Sequence, residues 1–216
     1  MNLLTEKVGK YMTNVLKQIK TKIIIQELLK NNNNNKIILL RNDNVLNWIF
    51  GNLNFLKENT LKCNYKYKED EWGRYVLKTK RPDLKLDKQW TNKFGEHIIE
   101  ELYMLLNISI NKAKKINKLL PDFETEEFMI EIKTQTFFTS GTASEKIIGS
   151  PFKYADVPLL YNKPLKIICI GGAEKALTEF DIINCSSETK KKFLQIYREN
   201  GIEFMSFRNL ISNLIK

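Results

Sequence analysis

Apolar side chains recur at spacings of three and four between Leu3 and Leu28 (Leu3, Leu4, Val8, Tyr11, Met12, Val15, Leu16, Ile19, Ile23, Ile24 and Leu28). That period puts them on one stripe, so residues 3–30 are predicted to form one amphipathic helix or two in succession. Asparagines fill positions 31–35. Their short amides compete with helical hydrogen bonds, and a loop is expected there. Residues 36–56 read as helical or mixed. Residues 57–93 differ: Tyr65, Tyr67, Trp72, Tyr75 and Trp90 stand among many lysines. Two readings stay open for that stretch. Aromatic faces beside cations stack on bases and brace phosphates. Alternatively, a short strand pair turns the aromatics inward and leaves the lysines in water.

The pattern sharpens after Lys88. QWTNKFGEHIIEELYMLLN carries the stripe Phe94, Ile98, Leu102, Leu105 and Leu106 behind Thr91 as N-cap, which predicts a helix over 91–107. Residues 127–137 (EFMIEIKTQTF) alternate with period two and predict a strand. Met129, Glu131, Lys133 and Gln135 share one face; Phe128, Ile130, Ile132 and Thr134 share the other. Residues 138–163, punctuated by Gly, Ser, Thr and Pro, predict a long loop region. PLKIICIGG (164–172) is an unbroken apolar run between Pro and Gly, the mark of a strand buried on both faces. A helix over 187–200 stopped by Gly201, a strand over 202–207 and a closing helix complete the chain. This succession predicts an α/β fold with helices covering a central sheet.

Composition narrows the chemistry. A chain of 216 residues that is 43% hydrophobic buries a domain-sized core without disulfide staples. Cys63, Cys169 and Cys185 lie too far apart for a disulfide framework or a zinc ligand pair, so a reducing interior is expected. His97 is the only histidine, which excludes a His-dependent triad, an HNH-type nuclease and a Cys₂His₂ finger. Chemistry therefore rests on carboxylates, lysines and a bound metal. The formal net charge of +10 favours a polyanionic partner through counterion release. Abundant Lys, Asn and Ile are equally expected from AT-rich coding DNA. No apolar run approaches the roughly 18–20 residues that span a bilayer. MNLLTEKVGKYM mixes acid and base within its opening, unlike a secretory leader, and an intracellular location is expected.

One constellation stands out within LLPDFETEEFMIEIKTQ. Asp122 follows a proline, and Glu131 and Lys133 come nine and eleven residues later on the alternating strand. Their i, i+2 spacing puts both charges on one face, while the opposite apolar face anchors the strand in a core. A carboxylate and an ammonium on an interior strand are unfavourable unless paired or bound to something. Asp122, at the hairpin mouth, is placed to converge on Glu131 and bind a divalent ion through oxygen ligands.

Asp122, Glu131 and Lys133 in PDFETEEFMIEIK resemble the PD-(D/E)xK nuclease signature, and the chain is most similar to a type II restriction endonuclease. The helix 91–107 adds Glu96, with Glu100 one turn later as the other candidate. The order of elements from 91 to about 206 resembles that superfamily's αβββαβ core. The resemblance implies a restriction-endonuclease-like core with a central mixed sheet over 89–216. It leaves 1–88 as a helical, basic and aromatic N-terminal region for dimerisation or DNA recognition. It further implies Mg²⁺, with Mn²⁺ as a substitute, held by Asp122, Glu131 and Glu96. The implied activity is phosphodiester hydrolysis in double-stranded DNA, with Lys133 orienting the water or neutralising charge and Gln135 contacting the phosphate. Homing, repair and junction-resolving nucleases share this fold and chemistry, and a non-catalytic DNA-binding protein is the rival outside them. The interval from Asp122 to Glu131 is short for the superfamily, so whether Glu126 or Glu127 contributes stays open. Lys146, Lys153 and Tyr154 in the following segment are candidate DNA contacts. A homodimer is expected, with residues 1–60 as its contact.

Overall fold

Strand residues that alternate or run unbroken in apolar character build the frame of this protein. In a computed structural model, the structure describes residues 16, 19–33, 36–57, 64–85, 89–139 and 143–215. A first helix, α1, covers residues 19–31. It is followed by α2 (Asp43–Ile49), α3 (Asn54–Lys57), α4 (Tyr65–Lys80) and α5 (Trp90–Leu105). Strands β1 (Asn111–Lys112), β2 (Phe123–Glu124) and β3 (Met129–Gln135) come next, then α6 (Ala143–Ile148), α7 (Ser150–Lys153) and α8 (Val157–Tyr161). The chain continues through β4 (Leu165–Gly171), α9 (Gly172–Glu179), α10 (Glu188–Glu199), β5 (Ile202–Ser206) and α11 (Phe207–Leu214). The fold is α/β, with a five-stranded mixed sheet in the order β1-β2-β3-β4-β5. β1, β2 and β3 pair antiparallel, whereas β3, β4 and β5 pair parallel.

The sheet buries both faces. Ile130 and Ile132 of β3, with Ile168 and Ile170 of β4, enter a cluster with Trp48, Trp90, Phe94 and Ile98. Met129, Leu165, Ile167 and Cys169 enter a second cluster with Tyr154, Val157 and Ala173. An unbroken apolar run in β4 is what a parallel strand covered on both sides requires. The first cluster runs from Ile25 of α1 to Met205 of β5, so residues from the N-terminal region and the sheet share one core. Gly171, at φ 64, ends β4 in a conformation that favours glycine, and the Trp48 ring occupies the space of a Cβ there. Gly95 lets α5 touch β3, because a Cβ would overlap the Thr134 hydroxyl.

Helix α4 takes the place of the strand pair expected in the aromatic segment. Its buried positions Glu69, Gly73, Val76 and Leu77 follow helical spacing, but a glutamate and a glycine hold half of them, which hides the stripe from a hydrophobicity pattern. The aromatics divide. Trp48 packs against Trp72, Trp90, Phe94 and Phe137 with ring centroids 5.2–6.1 Å apart. Tyr67 and Tyr75 stay exposed. The segment 138–163, expected as a loop, instead forms three short helices within its described residues. Pro151 and Pro158 sit in their first turns, where proline is compatible with helix geometry yet reads as loop punctuation.

Helix α1 buries Ile25 and lays Ile24, Leu28 and Leu29 against the core. Leu16, Ile19 and Ile23 remain exposed. The rest of the stripe expected at a dimer contact lies in residues 1–15, outside the described residues. Glu101 of α5 accepts the backbone N–H groups of Ile38, Leu39 and Leu40 at 3.2, 3.0 and 2.8 Å. It thereby satisfies donors in a buried turn that no helix serves. Among the described residues, no helix is long and apolar enough to cross a membrane.

Candidate active site

A tight hairpin brings the acidic residues together. Thr125 closes the turn, its N–H donating to the Phe128 carbonyl at 3.0 Å and its hydroxyl accepting from the Phe128 N–H at 3.0 Å. β2 and β3 then pair Phe123 with Ile130 and Glu124 with Met129. Continuing that register by one residue sets Asp122 opposite Glu131, on the face that Met129 and Lys133 share. Asp122 Oδ2 accepts the Ile132 N–H at 2.7 Å, which fixes its carboxylate across the hairpin mouth. Lys133 Nζ donates to Glu131 Oε1 at 2.6 Å. Glu131 is buried, and its Oε2 has no hydrogen-bond partner. Glu126 and Glu127 sit exposed in the turn between β2 and β3.

Electrostatics at the hairpin follow from this crowding. Burial, then the charge of Glu131, pushes the Asp122 carboxyl up from 3.8 to about 7; the Ile132 N–H and Lys133 oppose the rise. In the metal-free protein this has a consequence for stability. The folded carboxyl binds its proton more tightly than the unfolded one, so that stabilisation is complete below about 3.8 and is lost as pH rises through about 7. The urea midpoint of metal-free protein should therefore fall between about pH 5 and pH 8, and Asp122→Asn should remove that part of the slope. A slope unchanged by the substitution would contradict the crowding of these carboxylates.

The other expected residues take distinct places. Glu96 lies close enough for its charge to act on Asp122, but its carboxylate is held by Lys112 at 2.8 Å and Lys93 at 3.3 Å. Glu100 turns to His97, 2.8 Å away, and belongs to a separate cluster with Arg81. Tyr154, expected as a DNA contact, is buried 5.7 Å from Lys133 Nζ. Burial and the charge of Glu131 keep its hydroxyl protonated. It walls the carboxylate site instead of offering a surface. Lys153 is exposed and donates to the Tyr154 hydroxyl at 3.1 Å. Lys146, also exposed, lines a cleft of about 420 Å³ with Lys133 and Gln135. Gln135 donates to Ser144 Oγ at 3.4 Å, while its Oε1 is buried without a partner.

Glu69 escaped the sequence pattern. Fully buried in α4, it accepts from Trp48 Nε1 at 2.6 Å and from the backbone N–H groups of Phe137 and Phe138 at 2.9 and 3.1 Å. It ties the segment leaving β3 to α4 and the tryptophan cluster. The only signal in the sequence was its place on the helical stripe of Gly73, Val76 and Leu77.

Among the described residues, no group of three His, Cys, Asp or Glu side chains is arranged to hold a metal ion. With Glu96 engaged by lysines, the candidate set reduces to the Asp122/Glu131 pair. That pair suits Mg²⁺, which typically takes one or two carboxylates and completes its shell with water and substrate phosphate. Glu131 Oε2, buried beside the Tyr154 hydroxyl, is the oxygen that Lys133 leaves for such an ion. No protein-family model, curated protein or solved structure matches this chain.

Proposed function

We propose that this protein is a Mg²⁺-dependent endonuclease that hydrolyses phosphodiester bonds in double-stranded DNA, built on a restriction-endonuclease-like core. The observation that carries the reading is the placement of Asp122 opposite Glu131, with Lys133 on the same strand face at the edge of a basic cleft. The hairpin and the parallel strands after it bring an acid and an E-x-K pair together on a rigid sheet. When bound, Mg²⁺ supplies charge neutralisation at the scissile phosphate and lowers the pKa of water. Asp122 and Glu131 would hold it.

The chain's own groups have definable tasks. The Ile132 N–H fixes Asp122, and Glu131 Oε1 holds the Lys133 ammonium in place. Lys133 then faces the reacting phosphate as a pre-positioned cation, oriented before substrate arrives. Glu96, bound to Lys112, contributes negative potential beside Asp122. Gln135 presents an amide toward the cleft two residues beyond Lys133. Sequence specificity of the type II kind would come from base contacts outside this cluster. Incubating purified protein with several unmethylated DNAs tests the reading. Discrete fragments are expected with Mg²⁺ or Mn²⁺, and none in EDTA. Intact DNA under both metals, or cleavage that persists in EDTA, would overturn it.

A further inference from the structure

The cleft beside Lys133 has a size and a chemistry that hydrolysis alone leaves unexplained. It holds about 420 Å³ and lies between α4, the first turn of α5, the end of β3 and α6. Its basic lining residues are Lys66, Arg74, Lys133 and Lys146. The acid among them, Asp70, accepts the Trp90 indole N–H at 2.9 Å. One wall is the carboxyl end of β3, the place where open α/β sheets bind ligands. There Gln135 Oε1 is buried without a hydrogen-bond partner, on a residue that lines the cleft. Buried polar atoms of this kind are satisfied by ordered water or by a ligand, and the basic rim selects an anionic one.

Size then decides what form of nucleic acid enters. The volume is that of a small-ligand site, about 300–1,000 Å³. A B-form duplex, whose major groove alone is about 12 Å wide, does not fit inside. A single nucleotide lifted from the stack does. We propose, resting on the nuclease reading, that this cleft receives one unpaired nucleotide of the strand next to the scissile phosphate. Lys66 and Lys146 contact its phosphates, and the Gln135 amide exchanges its Ser144 contact for the base edge. An amide presents an acceptor and a donor side by side, which matches the amino group and N7 of adenine.

A fluorescent purine analogue, placed at successive positions of a DNA strand, reports the unstacking. In EDTA, the full chain should brighten the analogue several-fold at one position. It should also bind a duplex interrupted by one unpaired nucleotide about tenfold more tightly than a perfect duplex, because the unpairing is already done. Lys66→Ala and Lys146→Ala should each weaken binding and lower the salt slope by about one. Both side chains are exposed, so folding survives these changes. Gln135→Ala should erase the preference for adenine while leaving the salt slope intact. A silent analogue with equal binding of perfect and interrupted duplexes overturns the proposal, even where the chain cuts DNA in Mg²⁺. Brightening without any cleavage supports the cleft and refutes the nuclease reading instead.

Discussion

Lys133→Ala is expected to reduce DNA cleavage by about a hundred- to a thousandfold, the usual loss when one pre-positioned charge is removed from a transition state. Asp122→Asn and Glu131→Gln should lose at least as much, because each removes one of the two carboxylates available to Mg²⁺. Binding in EDTA should change little, since neither acid attracts DNA. Lys133→Ala carries a separate structural effect. It leaves Glu131 buried with both oxygens unpartnered, where Oε1 now accepts from Lys133 at 2.6 Å. Breaking a fully buried pair destabilises by about 3–5 kcal/mol, and the partly exposed Lys133 side chain lowers that figure. Lys133→Met, which keeps the aliphatic length, separates packing from charge. Single-turnover cleavage, with urea unfolding of each variant alongside, gives the decisive comparison. A folded Lys133→Ala protein that still cuts at the wild-type rate would remove Lys133 from the chemistry.

The largest effect on stability is expected at Glu69. Glu69→Ala strips the acceptor from the Trp48 indole and from two backbone N–H groups, all in or beside the core. Each buried donor left unsatisfied costs about 1–3 kcal/mol; the two backbone donors are only partly buried and fall at the low end, so a total of about 3–5 kcal/mol is expected. That is a large share of the roughly 5–15 kcal/mol that holds a domain together. Glu69→Gln keeps one accepting oxygen and should lose about half as much. Burial already raises the Glu69 carboxyl above its ordinary value, against the three donors that lower it. Urea unfolding followed by tryptophan fluorescence measures both variants, since Trp48 itself reports. An alanine variant within about 1 kcal/mol of wild type would mean that water serves these donors and that Glu69 does not anchor the segment after β3.

Periodicity alone determined the elements whose buried faces are apolar. β3 and β4 were legible because alternation and an unbroken apolar run state directly how many faces a strand buries. The stripe of α5 was legible for the same reason, and so was the shared face of Glu131 and Lys133, since i, i+2 spacing on a strand fixes it; the place of Asp122 came from the β2–β3 pairing. What the sequence withheld lies where polar residues occupy core positions or where contacts join distant segments. Glu69 and Gly73 broke the stripe of α4, and proline at helix starts disguised α7 and α8 as loop. Local pattern could not choose between Glu96 and Glu100, one turn apart on the same helix. Lys112 and His97 draw the two carboxylates to different partners, and only Glu96 stands near enough to act on Asp122. Tyr154 likewise read as a surface contact until the packing of α7 and α8 against β3 and β4 turned it inward beside Glu131. The cleft belongs wholly to tertiary structure, because its walls come from residues 66–74, 89–92, 132–139 and 146–147, and no window of sequence contains them together.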